Sequence, residues 1–104
     1  MGRIYILDEI EPHPGLLETY RTAYLADYAP AARARGMTLE SVRQCPAVEL
    51  PEGGTTLAFC WSVPDLAGWW RMRMTGEADK ARWWARSDTL AATRRRRFLV
   101  DAGD

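Results

Sequence analysis

The stretch Trp61–Trp84, WSVPDLAGWWRMRMTGEADKARWW, holds all five tryptophans of the 104-residue chain. Each indole brings a large apolar area and one N–H that needs a partner, so this much aromatic surface must close a core or wall a cavity. Trp69-Trp70 and Trp83-Trp84 are adjacent pairs. Neighbours on a helix point about 100° apart, so one member of each pair needs another surface, either a second subunit or a bound ligand. Within the stretch, Pro64-Asp65 ends a strand and Asp65 caps a short helix whose Leu66, Trp69, Trp70 and Met74 form one stripe. Thr75-Gly76 stops it, and Glu77 to about Thr93 reads as a second helix, acidic in its first turn and arginine-rich toward its end.

Upstream, Met37 to Val48 and Thr55 to Val63 read as two strands joined through the turn residues Glu49 to Gly54. A register pairing Val48 with Leu57 sets Val42 opposite Val63 and Gln44 opposite Trp61, a bulky face. The other face then carries Arg43 with Ser62, Cys45 with Cys60 and Ala47 with Ala58, which is small and polar. Arg3 to Glu11 reads as a strand, with Ile4, Ile6 and Ile10 on one face and Tyr5 and Leu7 on the other. A strand apolar on both sides belongs in a sheet covered twice, a first sign of a partner. Pro12-His13-Pro14-Gly15 is a turn, and Pro14 to about Arg35 has helical spacing through Leu17, Tyr20, Tyr24 and Ala31. Pro30 predicts a kink near Asp27 to Pro30, and Gly36 ends the helix. Downstream, Phe98 to Val100 makes a short last strand before the polar tail 101–104.

The order β-α-β-β-α-α-β predicts an α+β, ferredoxin-like split βαβ fold, one antiparallel sheet with helices on one face, in a single domain over residues 1–104. Fourteen basic residues balance fourteen acidic ones, so a nucleic-acid-binding surface is not expected. The run Arg94 to Arg97 reads as a helix end and solvated edge. MGRIYILDEIE meets carboxylates too soon for a signal peptide or membrane span, which predicts a cytoplasmic protein with no membrane partner. Cys45 and Cys60 lack C-x-x-C spacing and His13 is the sole histidine, so no metal site or cofactor is expected. In the cytoplasm the two thiols are expected to be free rather than bridged.

Three features resemble the NIPSNAP and EthD-like families of the dimeric α+β barrel superfamily: IYILDEIEPHPG before a long helix, ARGM leading into the second strand, and the third strand followed by VPDLAGWW. The likeness spans nearly the whole chain but includes no catalytic signature. It implies a homodimer whose two sheets close into a barrel with the helices outside. It also implies small-molecule pockets between sheet and helices, as in cofactor-free monooxygenases and muconolactone isomerase-like enzymes. Haem-handling branches exist too, but one histidine gives haem little to hold it.

From the residues themselves, Tyr20, Tyr24, Trp61, Trp69, Trp70 and Trp83 form a candidate aromatic lining for a planar or polycyclic apolar molecule. The competing reading places them in a core and a dimer interface. His13 is a candidate general acid or base, oriented by Asp8 or Glu9, against an exposed turn histidine. Arg73 with Arg71, or Arg43 on the small-residue face, would clamp a developing anion, against plain solvated arginines. The resulting expectation is a homodimer, paired through the sheet face, that binds a small apolar compound, with cofactor-free turnover as its enzymatic form. The alternative is a non-catalytic structural or accessory dimer with no ligand.

Overall fold

Alternation along the first strand sets the layers. In the computed structural model, which describes residues 2–103, β1 (Ile4–Pro12) alternates strictly between buried and half-buried positions. It is followed by α1 (Leu17–Ala23), a π-helical turn (Tyr24–Tyr28), α2 (Ala29–Ala34), β2 (Thr38–Cys45), β3 (Thr56–Val63), α3 (Leu66–Arg73), α4 (Glu77–Leu90) and β4 (Ala91–Val100). The four strands form one antiparallel sheet in the order β2-β3-β1-β4. This is the ferredoxin-like α+β arrangement that the order of elements predicts.

The covered face of the sheet carries Ile4, Ile6, Asp8 and Ile10 of β1 beside Val63, Trp61, Phe59 and Leu57 of β3. Tyr20, Tyr24 and Tyr28 lie against it from the helical layer, all buried. In a regular α-helix each four-residue step drifts about 40° around the axis. The wider π turn takes back part of that drift, which keeps the three tyrosines on the inward side. Its mark is the Ala29 N–H donating to the Tyr24 carbonyl, five residues back. Pro30, in the first turn of α2, has no N–H to continue the ladder, so the predicted kink takes the form of a π turn.

Several boundaries differ from the sequence reading. The first helix begins at Leu17, because Pro14 and Gly15 are spent on the turn and Gly15 has φ +81°. The β2–β3 register is displaced: Val42 faces Phe59, Gln44 faces Leu57, Arg43 faces Ala58 and Cys45 faces Thr56. Opposed positions move by four residues, an even number, so each side chain keeps its predicted face. The displacement separates Cys45 from Cys60, and both thiols are free. Glu40 occupies a bulge between Leu39 and Ser41, where it accepts a hydrogen bond from Ser62 Oγ at 2.6 Å.

The largest correction concerns the arginine run. α4 stops at Leu90, and β4 starts at Ala91 without a linker, so Arg94 to Arg97 are strand residues. Arginine favours helices on its own, but pairing with β1 along nearly its whole length overrides that preference. The Leu90 carbonyl, at the helix end, accepts from the His13 N–H at 3.0 Å. Arg94 pairs with Asp88, Arg96 with Asp8 and Arg97 with Glu9. Only Arg95 of the run lacks a carboxylate partner among the described residues. No described helix is long and apolar enough to cross a membrane.

Candidate functional site

Asp8 occupies a core position between Ile6 and Ile10 on β1 and is 1% exposed. A carboxylate there needs compensation. It accepts from Arg96 Nε at 2.6 Å, from Arg96 Nη2 at 2.8 Å and from the Tyr24 hydroxyl at 2.7 Å. The Tyr24 oxygen in turn accepts from Trp61 Nε1 at 2.6 Å. Burial, and then the Asp8 charge, push the Tyr24 phenol well above its ordinary value. Burial pulls Arg96 down, but the hydrogen bond and charge of Asp8 outweigh it and raise Arg96 further above its ordinary range. Tyr28 joins the network from above, its hydroxyl accepting from Arg96 Nη2 at 2.8 Å and Arg35 Nη2 at 3.2 Å.

Over this network lies a half-enclosed cleft of about 530 Å³ between α4 and the segment running from the π turn into α2. Tyr28 and Trp83 contribute its aromatic surface, with ring centroids 6.0 Å apart. Ala26, Pro30 and Ala31 line one wall, and Asp79, Arg82 and Arg86 line the other. Arg86 pairs with Asp27 across the cleft, and Arg82 with Asp79 along α4. Arg35, 7% exposed, also lines it and has no carboxylate partner among the described residues. Two buried N–H groups of lining residues, Trp83 Nε1 and Arg35 Nε, have no acceptor there either. Leaving such a donor unmet costs about 1–3 kcal/mol.

The residues singled out from the sequence fall into separate places. Tyr20, Tyr24, Trp61 and Trp83 come together as one cluster, but the first three have no exposure at all and fill the space a guest was expected to take. Tyr24 stacks on Phe59 with centroids 3.6 Å apart and rings at 16°. Trp69, Trp70 and Arg73 sit on α3 at the β4 side, where the Arg73 guanidinium lies over Trp69 at 5.1 Å and over Phe98 at 5.8 Å. Arg73, Trp84, Arg96 and Phe98 share a second, shallower groove of about 380 Å³.

His13 is beside the β2–β3 connection with Leu50, Gly53 and Thr55. Five residue steps of extended chain, roughly 16 Å, separate it from Asp8. Asp8 therefore does not orient His13 in the single chain. Arg43 is exposed on edge strand β2 and donates to Ser41 Oγ at 2.9 Å. Among the described residues no cluster of three or more His, Cys, Asp or Glu is placed to hold a metal ion.

Arg96 and Arg35 escaped the sequence reading. Arg96 had a signal: period-two alternation puts Asp8 on the Ile4-Ile6-Ile10 face, and a buried carboxylate demands a cation. Arg35 had a weaker one: it falls seven residues after Tyr28 on the helical stripe, about 200° from the exposed Arg33, but nothing local marks it as unpaired.

No protein-family model matches the chain, and no curated protein matches it. Solved structures do. A NIPSNAP family protein of Agrobacterium tumefaciens superposes with a TM-score of 0.70 at 13% identity, covering 96% of this chain and 93% of that one. A DABB family protein of Mesorhizobium loti with a ferredoxin-like fold gives 0.69 at 19% identity, covering 99% and 100%. A Caulobacter crescentus protein described as a candidate antibiotic biosynthesis monooxygenase gives 0.67 at 15% identity, covering 98% and 92%. The fold expected from the NIPSNAP resemblance is thus the fold the chain shares with these proteins.

Proposed function

We propose that this chain is a homodimeric small-molecule-binding protein whose guest, a planar aromatic or polyketide-like compound, sits in the cleft over Trp83 and Tyr28. The half-enclosed volume of about 530 Å³ carries this reading. It falls within the roughly 300–1,000 Å³ usual for small-molecule sites, with aromatic surface and a few polar groups. The shared fold adds support, since one protein with that fold is described as a candidate antibiotic biosynthesis monooxygenase. Pairing uses the sheet face away from the helices, where Tyr5, Leu7, Ala58 and Cys60 stay half-buried in a single chain. A cytoplasmic setting accords with two free thiols.

Binding takes precedence over turnover in this reading. A cofactor-free reaction needs a proton site at the guest. His13 lies elsewhere, and Asp8 is engaged by Arg96 and Tyr24 beneath the cleft. The alternative of an accessory dimer without ligand draws on the full burial of Tyr20, Tyr24 and Trp61, which leaves no space between sheet and helices around them.

Calorimetric titration with 1-naphthol tests the choice. Saturable binding of one molecule per chain, lost in Ala31→Phe where the new ring fills the cleft, is the expected result; an absence of saturable heat supports the accessory dimer. Sedimentation equilibrium is expected to return a two-chain mass that Leu7→Arg reduces to one, and a monomeric wild type would refute the pairing.

A further inference from the structure

We propose that the cleft selects a monoanionic planar acid, with Arg35 as the residue that receives its carboxylate. This rests on the small-molecule reading of the same cleft and adds the charge of the guest. Four charged residues besides Arg35 line the space, and they fall into two pairs, Asp27 with Arg86 and Asp79 with Arg82. Those two pairs cancel. Arg35 remains, the one positive charge of the lining without a carboxylate partner among the described residues, nine-tenths removed from solvent.

Its surroundings hold it in place without satisfying it. The guanidinium carries five N–H donors, and the one acceptor it meets among the described residues is the Tyr28 hydroxyl. It also lies over the Tyr28 ring at 5.5 Å, a cation–π contact that holds it against an aromatic surface. On its other side Gly76, in a left-handed conformation at φ +71°, leaves room for the stem: a Cβ there would stand 3.2 Å from Arg35 Cδ and Nη1. A buried guanidinium positioned in this way suits the forked, two-oxygen geometry of a carboxylate. The balance of one free positive charge selects a monoanion over a neutral ring or a dianion.

Calorimetric titration with 1-naphthoate and the neutral, nearly isosteric 1-naphthamide tests this. Wild type is expected to bind naphthoate about tenfold more tightly than the amide, as one charge-assisted contact would give. Arg35→Gln is expected to erase that preference while naphthamide stays within about twofold, and Arg33→Gln, at an exposed position outside the cleft lining, to leave the preference intact. Equal affinity for the two probes, with both lost in Ala31→Phe, overturns the anion selection but keeps the small-molecule site. Binding of neither probe, or binding indifferent to Ala31→Phe, overturns both. Circular dichroism checks that Arg35→Gln folds; if it does not, the wild-type ratio together with the Ala31→Phe control decides.

Discussion

Asp8 and Arg96, 88 residues apart in sequence, meet side by side on neighbouring strands through two parallel hydrogen bonds of 2.6 and 2.8 Å. The pair ties the first strand to the last on the covered face of the sheet. Asp8 is 1% exposed there and Arg96 22%. Removing one partner leaves a charge without compensation in low dielectric, which typically costs about 3–5 kcal/mol. Asp8→Asn is therefore expected to lower stability by about 3 kcal/mol in urea unfolding, and Asp8→Leu with Arg96→Met to recover much of it. A loss below about 1 kcal/mol in the single variant would show that the pair is not what holds these strands.

High pH tests the aromatic cluster. Burial pushes the Tyr20 and Tyr24 phenols above their ordinary value of 10.0. The folded state then retains protons that the unfolded chain releases, so stability is fully present below about pH 10 and declines as pH rises beyond it. Phenolate absorbance from these two residues is expected to appear together with loss of the near-ultraviolet dichroism. Complete ionisation of all four tyrosines with that dichroism intact would contradict the packing.

The two cysteines are expected to react at different rates. Cys45 is exposed, whereas burial, and then the Glu40 carboxylate, push the Cys60 thiol up. Disulfide exchange with a chromogenic reagent at pH 8 should show one fast and one slow thiol, because the thiolate is the reacting species. Cys60→Ser should abolish the slow phase alone. A single phase for both thiols would sink the assignment.

Gly76 couples local backbone to the cleft. Its φ of +71° is left-handed, and an added Cβ would press on Arg35 at 3.2 Å. Gly76→Ala is expected to lower stability by about 1–2 kcal/mol, from the left-handed conformation before any steric displacement is counted. The same substitution should weaken 1-naphthoate binding more than 1-naphthamide binding. An unchanged unfolding midpoint would mean that the turn relaxes at no cost.

Much of the plan was legible in the residues because it rests on local periodicity. Alternation in β1 separates its two faces, Pro30 forces an irregular turn, and Asp65 caps α3 by accepting from the Gly68 N–H at 2.8 Å. Even the misplaced β2–β3 register preserved the faces, since side chains alternate with period two whatever the offset.

What the chain determined alone, then, was the order of elements, the single antiparallel sheet and the surplus of aromatic surface, all of which follow from spacings within a few residues. Only the tertiary structure decided that Arg94 to Arg97 would be strand, that Asp8 would face Arg96 rather than His13, and that Arg35 would stay buried without a counter-ion among the described residues. Those outcomes depend on which distant groups share a low-dielectric space. A charge that is cheap in water becomes decisive there, and no local spacing encodes who its neighbour will be.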